Sequence, residues 1–106
     1  MRQQPDAGHV FSALSDPTRR TVVEALASRD TATATELASE LPVTRQAVSK
    51  HLNALGSAGL VASERRGRET HYRLTPDALS QAVTWMEHVG VQWETRLAAL
   101  RERFPE

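Results

Sequence analysis

Between Pro76 and Pro105 the sequence contains no proline, and apolar positions recur at alternating spacings of four and three: Leu79, Val83, Met86, Gly90, Trp93, Leu97, Leu100 and Phe104, with Gly90 the one weak member. That is a heptad seam, and it predicts one helix over about 76–103. Thr75, Pro76 and Asp77 supply a cap, a proline at the first helical position and an acid in the first turn. At 1.5 Å per residue the helix is about 42 Å long, whereas a compact chain of this length has a radius of gyration of ~13 Å. Such a helix overhangs its own core, and a second copy of the chain is expected to cover the overhang. Val10, Phe11, Leu79, Val83, Met86, Trp93, Leu97 and Leu100 are the expected dimer-interface residues. A kink at Gly90 that folds the second half back is the alternative.

The rest of the chain is cut into shorter pieces. His9 to Leu14 predicts a short apolar helix with Val10, Phe11 and Leu14 on one side. Asp16 can cap a second helix, with Pro17 at its first position, where no N–H is missed. Val22, Val23, Leu26 and Ala27 give that helix its buried stripe. Thr33 and Glu36 are spaced for a capping box on a third helix that Pro42 ends. Thr44 caps a fourth, which runs to the turn "GSAG". Leu60–Ser63 and His71–Leu74 predict strands around "ERRGRET", with the hairpin tip near Gly67. The expected fold class is therefore mainly α with a small β-hairpin: a single domain over 1–106, with a helix-turn-helix at about 33–58, a wing at about 60–74 and the long helix at about 76–103.

The fourth helix, "TRQAVSKHLNAL", has an unusual polar face. Arg45, Gln46, Ser49, Lys50 and Asn53 lie opposite Val48, Leu52 and Leu55, and the face holds two cations and no anion. Net charge over the whole chain is zero, but residues 44–73 hold six Arg and Lys against two Glu, so that segment is +4 and the remainder −4. A helix fits the DNA major groove, where Arg and Lys pair with guanine O6/N7 and Gln and Asn with adenine N6/N7. Thr44 and Ser49 can reach phosphate or a base edge. Arg65, Arg66 and Arg68 around a glycine at a hairpin tip suit a phosphate backbone or a narrow minor groove. Helix, turn, polar helix and basic hairpin follow one another in the order of a winged helix-turn-helix, with double-stranded DNA as the expected partner. His51 falls toward the buried side and reads as a hydrogen-bonded structural histidine.

Other functions fit less well. The sequence has no cysteine, which removes thiolate chemistry, disulfides and thiolate metal ligands together. No Ser/His/Asp arrangement, HExxH, glycine-rich phosphate loop or clustered carboxylate pair occurs. No apolar run reaches the ~20 residues of a membrane span, and the first residues hold no signal-length apolar stretch, so a cytoplasmic protein is expected. A winged helix serving only protein contacts is the stronger rival, but it would show apolar residues where Arg45, Gln46, Ser49, Lys50 and Asn53 stand.

"LSDPTRRTVVEALA", "ELASELPVTRQAVSKHLNALGSAGLV" and "GRETHYRLT" together resemble the ArsR/SmtB family of winged-helix transcriptional repressors, over about Val10 to Thr75. The resemblance implies a homodimeric repressor on an inverted-repeat operator. Its recognition residues would be Thr44, Arg45, Gln46, Ser49 and Lys50, with a wing at 64–70 and Tyr72 on the return strand. It also implies where metals would bind in other members. Their Cys-x-Cys positions are Thr33 and Thr35 here, and the ligand positions of their last helix correspond to Asp77, Leu79, Gly90 and Trp93. The chain therefore looks closest to the metal-independent branch, with no cofactor expected.

Overall fold

The computed structural model describes residues 7–103. Phe104, the last expected member of the seam, lies outside them. The elements are α1 (Ala7–Ala13), α2 (Pro17–Ala27), α3 (Ala34–Glu40), α4 (Arg45–Ser57), β1 (Val61–Arg66), β2 (Glu69–Leu74) and α5 (Pro76–Arg103).

Short polar side chains start the helices as the sequence leads one to expect. The Asp16 carboxylate accepts from the N–H groups of Thr18 (2.7 Å) and Arg19 (3.3 Å). The Thr18 N–H, first among several groups, holds that carboxyl below its ordinary pKa. At α3 the capping box is complete: Thr33 Oγ1 accepts from the Glu36 N–H (3.1 Å) while the Thr33 N–H donates to Glu36 Oε1 (2.8 Å). Those bonds to Thr33 depress the Glu36 pKa. Thr44 caps α4 by accepting from the Ala47 N–H at 3.1 Å. Thr75 departs from expectation. Its hydroxyl donates to the Gly59 carbonyl and its N–H to the Leu60 carbonyl, so it ties the start of α5 to the α4–β1 turn rather than accepting from the first turn of α5.

Val10, Val22, Leu26, Leu37, Val48, Leu52, Leu55 and Leu60 form the centre of the core, each almost fully removed from water. Val10, expected at the dimer interface, is 0% exposed and packs into its own chain's core. The hairpin is longer than predicted, because both strands continue to a two-residue turn at Gly67 and Arg68. Gly67 has φ +63°, as the first position of such a turn requires, and no non-glycine residue has positive φ among the described residues. Ala32 adds a one-residue third rung: its N–H donates to the Tyr72 carbonyl (3.0 Å) and its carbonyl accepts from the Tyr72 N–H (2.8 Å). This bridge fastens the wing to the start of α3. No local pattern signals it, because the two residues lie far apart in the chain.

The last helix is continuous through Gly90. It stretches the molecule to 64 × 36 × 20 Å with a radius of gyration of 18.2 Å. Only Ala78 and Ala82, one turn apart near its start, are buried. These small side chains let α5 approach α1 closely. Beyond them the same stripe continues uncovered. The element order and packing are those of a winged helix-turn-helix.

Candidate nucleic-acid interface

Three aliphatic side chains seat α4, and the 100° step per residue then distributes everything else around its axis. With Val48, Leu52 and Leu55 inward, Arg45, Ser49 and Asn53 come to the edge nearest the wing, while Gln46 and Lys50 point away from the core. His51 falls on the opposite edge, beside α2, where its Nδ1 accepts from Arg19 Nε at 3.3 Å. The polar face expected to read DNA is thus exposed apart from the half-buried Ser49, and His51 is not on it.

Strand alternation sorts the wing. In the observed register Ser63 pairs with Tyr72 and Arg65 with Thr70 on one face, while Glu64 pairs with His71 and Arg66 with Glu69 on the other. The first face looks toward α4. There, Arg45 and Ser49 of α4, Arg65, Arg68 and Tyr72 of the wing, and Thr35 of α3 line one crevice of about 180 Å³. On the other side of Tyr72 a broader hollow of about 420 Å³ runs between Asn53, Gly56 and Ser63. The two form a trench between helix and hairpin with Tyr72 at its waist.

The three wing arginines do not act as a set. Arg65 Nε donates to the Gly67 carbonyl (3.0 Å), which holds the guanidinium over the turn on the α4 side. Arg68 sits in the turn itself. Arg66 lies on the far face and pairs with Glu64 at 3.3 Å, both well exposed. Among the described residues, Arg45, Lys50 and Arg68 have no acidic side chain within ion-pair distance. Glu69 also borders the crevice, with its carboxylate 3.4 Å from His71 Nε2. The arrangement presents three arginines and several hydroxyls against one carboxylate, an excess of positive charge that suits a polyanionic backbone. Sequence reasoning includes Thr70 in the wing without giving it a role, and it misses Thr35, since no local pattern marks a threonine that topology brings beside a wing.

The expected interface residues divide by position along α5. Leu79 is half-buried against the core, and Leu97 is partly covered. Val83, Met86, Trp93 and Leu100 are exposed, Trp93 by 54%. Phe11 of α1 meets Trp85 edge-to-face, ring centroids 5.5 Å apart, so an aromatic pair borders the uncovered stripe. Among the described residues no helix is long and apolar enough to cross a membrane, and no three His, Asp or Glu side chains come together to hold a metal ion.

Comparison with known proteins agrees with this geometry. Residues 14–64 match a helix-turn-helix domain. The chain is 35% identical over 78 residues to the transcriptional repressor SdpR of Bacillus subtilis, spanning 74% of this chain and 86% of that one. It is 39% identical over 98 residues to the HTH-type transcriptional regulator Rv2034 of Mycobacterium tuberculosis, covering 92% and 89% of the two chains. Among solved structures, an ArsR-like transcriptional regulator from Rhodococcus sp. RHA1 superposes with a TM-score of 0.81 at 43% identity, over 91% of this chain and 90% of that one.

Proposed function

This chain belongs to the ArsR family of winged helix-turn-helix transcriptional regulators, and within it we propose a homodimeric repressor that binds an inverted-repeat operator. It is a DNA-binding regulator, not an enzyme. The observation that carries the DNA-reading assignment is the trench: the outward face of α4 and the α4-facing side of the wing converge on one polar surface, with Arg45, Arg65 and Arg68 at one end beside a single carboxylate, Glu69. In the proposal α4 enters the major groove, with Arg45, Gln46, Lys50 and Asn53 on base edges and Thr44 and Ser49 near phosphate. Arg65, Arg68 and Tyr72 follow the backbone, and Arg66 contributes charge only.

The uncovered half of the α5 stripe supports the dimer. Met86, Trp93, Leu97 and Leu100 would pack against their counterparts across a two-fold axis, with Phe11, Leu79 and Val83 at its margin. A two-fold dimer places its α4 helices in successive major grooves, ~34 Å apart. The whole chain then acts as one domain, in the cytoplasm where the DNA is. Selection from a pool of random duplexes tests this: an inverted repeat with half-sites about one helical turn apart is expected, and enrichment of a direct repeat or a lone half-site would overturn the dimer geometry.

A further inference from the structure

The segment Asp16-Pro17-Thr18-Arg19-Arg20 takes no part in the interface described above, yet its two arginines hold different parts of the fold. Arg20 Nη1 donates to the Leu14 carbonyl at 2.6 Å and closes the turn between α1 and α2. Arg19 emerges from the first turn of α2, which the Asp16 carboxylate organises, and reaches α4 through its bond to His51 Nδ1. Among the described residues this is the only side-chain hydrogen bond joining α4 to another helix or strand; the others made by α4 and its cap stay within that segment.

The remaining contacts of α4 with the core are aliphatic, and such contacts are non-directional. A hydrogen bond is directional and weakens steeply when its angle falls below ~120°. The distinction matters for a reading helix. A rotation of ~20° about the axis carries an atom ~5 Å from it about 2 Å sideways, enough to lose a bidentate contact with a base. The wing edge of α4 lacks any such side-chain bond, so the opposite edge is where a directional restraint is added to the seating that Val48, Leu52 and Leu55 provide.

We propose that Arg19 is a positioning residue for sequence readout, setting through His51 the rotation of α4 that brings Arg45, Gln46 and Lys50 to base edges. The inference rests on the DNA-reading assignment of α4. Its test is a double-mutant cycle on the full chain with Arg19→Met and His51→Phe, read by fluorescence anisotropy on the selected operator and on a scrambled duplex of equal length. Each single variant is expected to lower the operator-to-scrambled affinity ratio about three- to tenfold, with affinity for the scrambled duplex unchanged at low salt. The double variant is expected to lose no more than either single one. A variant that merely folds less well weakens both duplexes in proportion and keeps the ratio; that result overturns the proposal, as do additive losses. If Arg19→Met does not fold, His51→Phe decides alone: a lowered ratio is expected, and an unchanged one overturns the proposal. Wild-type protein with no operator preference would remove the reading of α4 and this inference together, whereas a preference kept by Arg19→Met removes only the inference.

Discussion

Helices α4 and α5 are both amphipathic, and they use that property in opposite ways. The fourth helix buries three large aliphatic residues and shows water a polar, cationic face. The fifth buries two alanines and shows water Val83, Met86, Trp93 and Leu100. A polar face without anions is stable in water and gains by meeting a polyanion. A broad apolar face in water gains by meeting another apolar face. In the proposed dimer the contrast separates a surface for nucleic acid from a surface for a second copy, and each is expected to be damaged without the other.

The largest expected effect comes from placing a charge on the α5 stripe. Trp93→Glu should yield monomers in sedimentation and lower operator affinity at least a hundredfold, because an unpaired carboxylate at an apolar interface costs several kcal/mol. An intact dimer would remove Trp93 from the interface. Next, Leu52→Ala should cost ~2–5 kcal/mol of unfolding free energy at every protein concentration, as a cavity in a closed core does. Leu100→Ala, on the uncovered stripe, should instead lower the melting temperature only where the protein is dimeric. Equal, concentration-independent losses from both would erase the distinction between the two helices.

Smaller effects sharpen the α4 side. Arg45→Ala should cost ~1–3 kcal/mol of discrimination at one base position of each half-site. Arg65→Ala should weaken all duplexes alike and make the salt dependence shallower by about one charge per subunit. Arg66→Ala should do less than Arg65→Ala, since Arg66 lies on the far face of the wing. Competition titrations against point-substituted operators would show it; a base-specific loss from Arg65→Ala would exchange reader and clamp.

The smallest effect is acid sensitivity. The carboxyls of Asp16 and Glu36 have lowered pKa values in the folded chain, first because backbone N–H groups donate to them. Their stabilising contribution is complete above the ordinary carboxylate range, about pH 4, and is lost as pH falls through the lower folded values. Asp16→Asn and Glu36→Gln should each flatten the loss of stability on acidification; an unchanged acid limb in both would detach the caps from it.

Much of this fold is legible in the sequence wherever the chemistry is local. A cap acts within three residues of itself, so spacing alone places Asp16, Thr33 and Thr44, and it also sets the length of α5. Contacts between distant segments are not legible in the same way. The Ala32–Tyr72 bridge joins an unremarkable alanine to a strand tyrosine. The burial of Ala78 and Ala82 depends on close approach, to which the heptad of larger residues is blind. In the wing, a one-residue step turns a side chain to the other face. Arg65 and Arg66 therefore read alike in sequence and stand on opposite sides of the hairpin. Thr75 is ambiguous because a hydroxyl before Pro76 serves a helix start and a turn equally well, and only the approach of the Gly59 carbonyl decides between them.

The central claim is that the α4 face and the wing bind DNA by sequence and by charge together. The most direct test is fluorescence anisotropy of the purified chain, in EDTA, on the selected operator and on a scrambled duplex over a series of salt concentrations. Neutralising ~6–8 phosphates per dimer predicts a log–log slope of about −5 to −7, with the operator bound more tightly throughout. Binding that ignores salt, or that treats the two duplexes alike, would contradict the account.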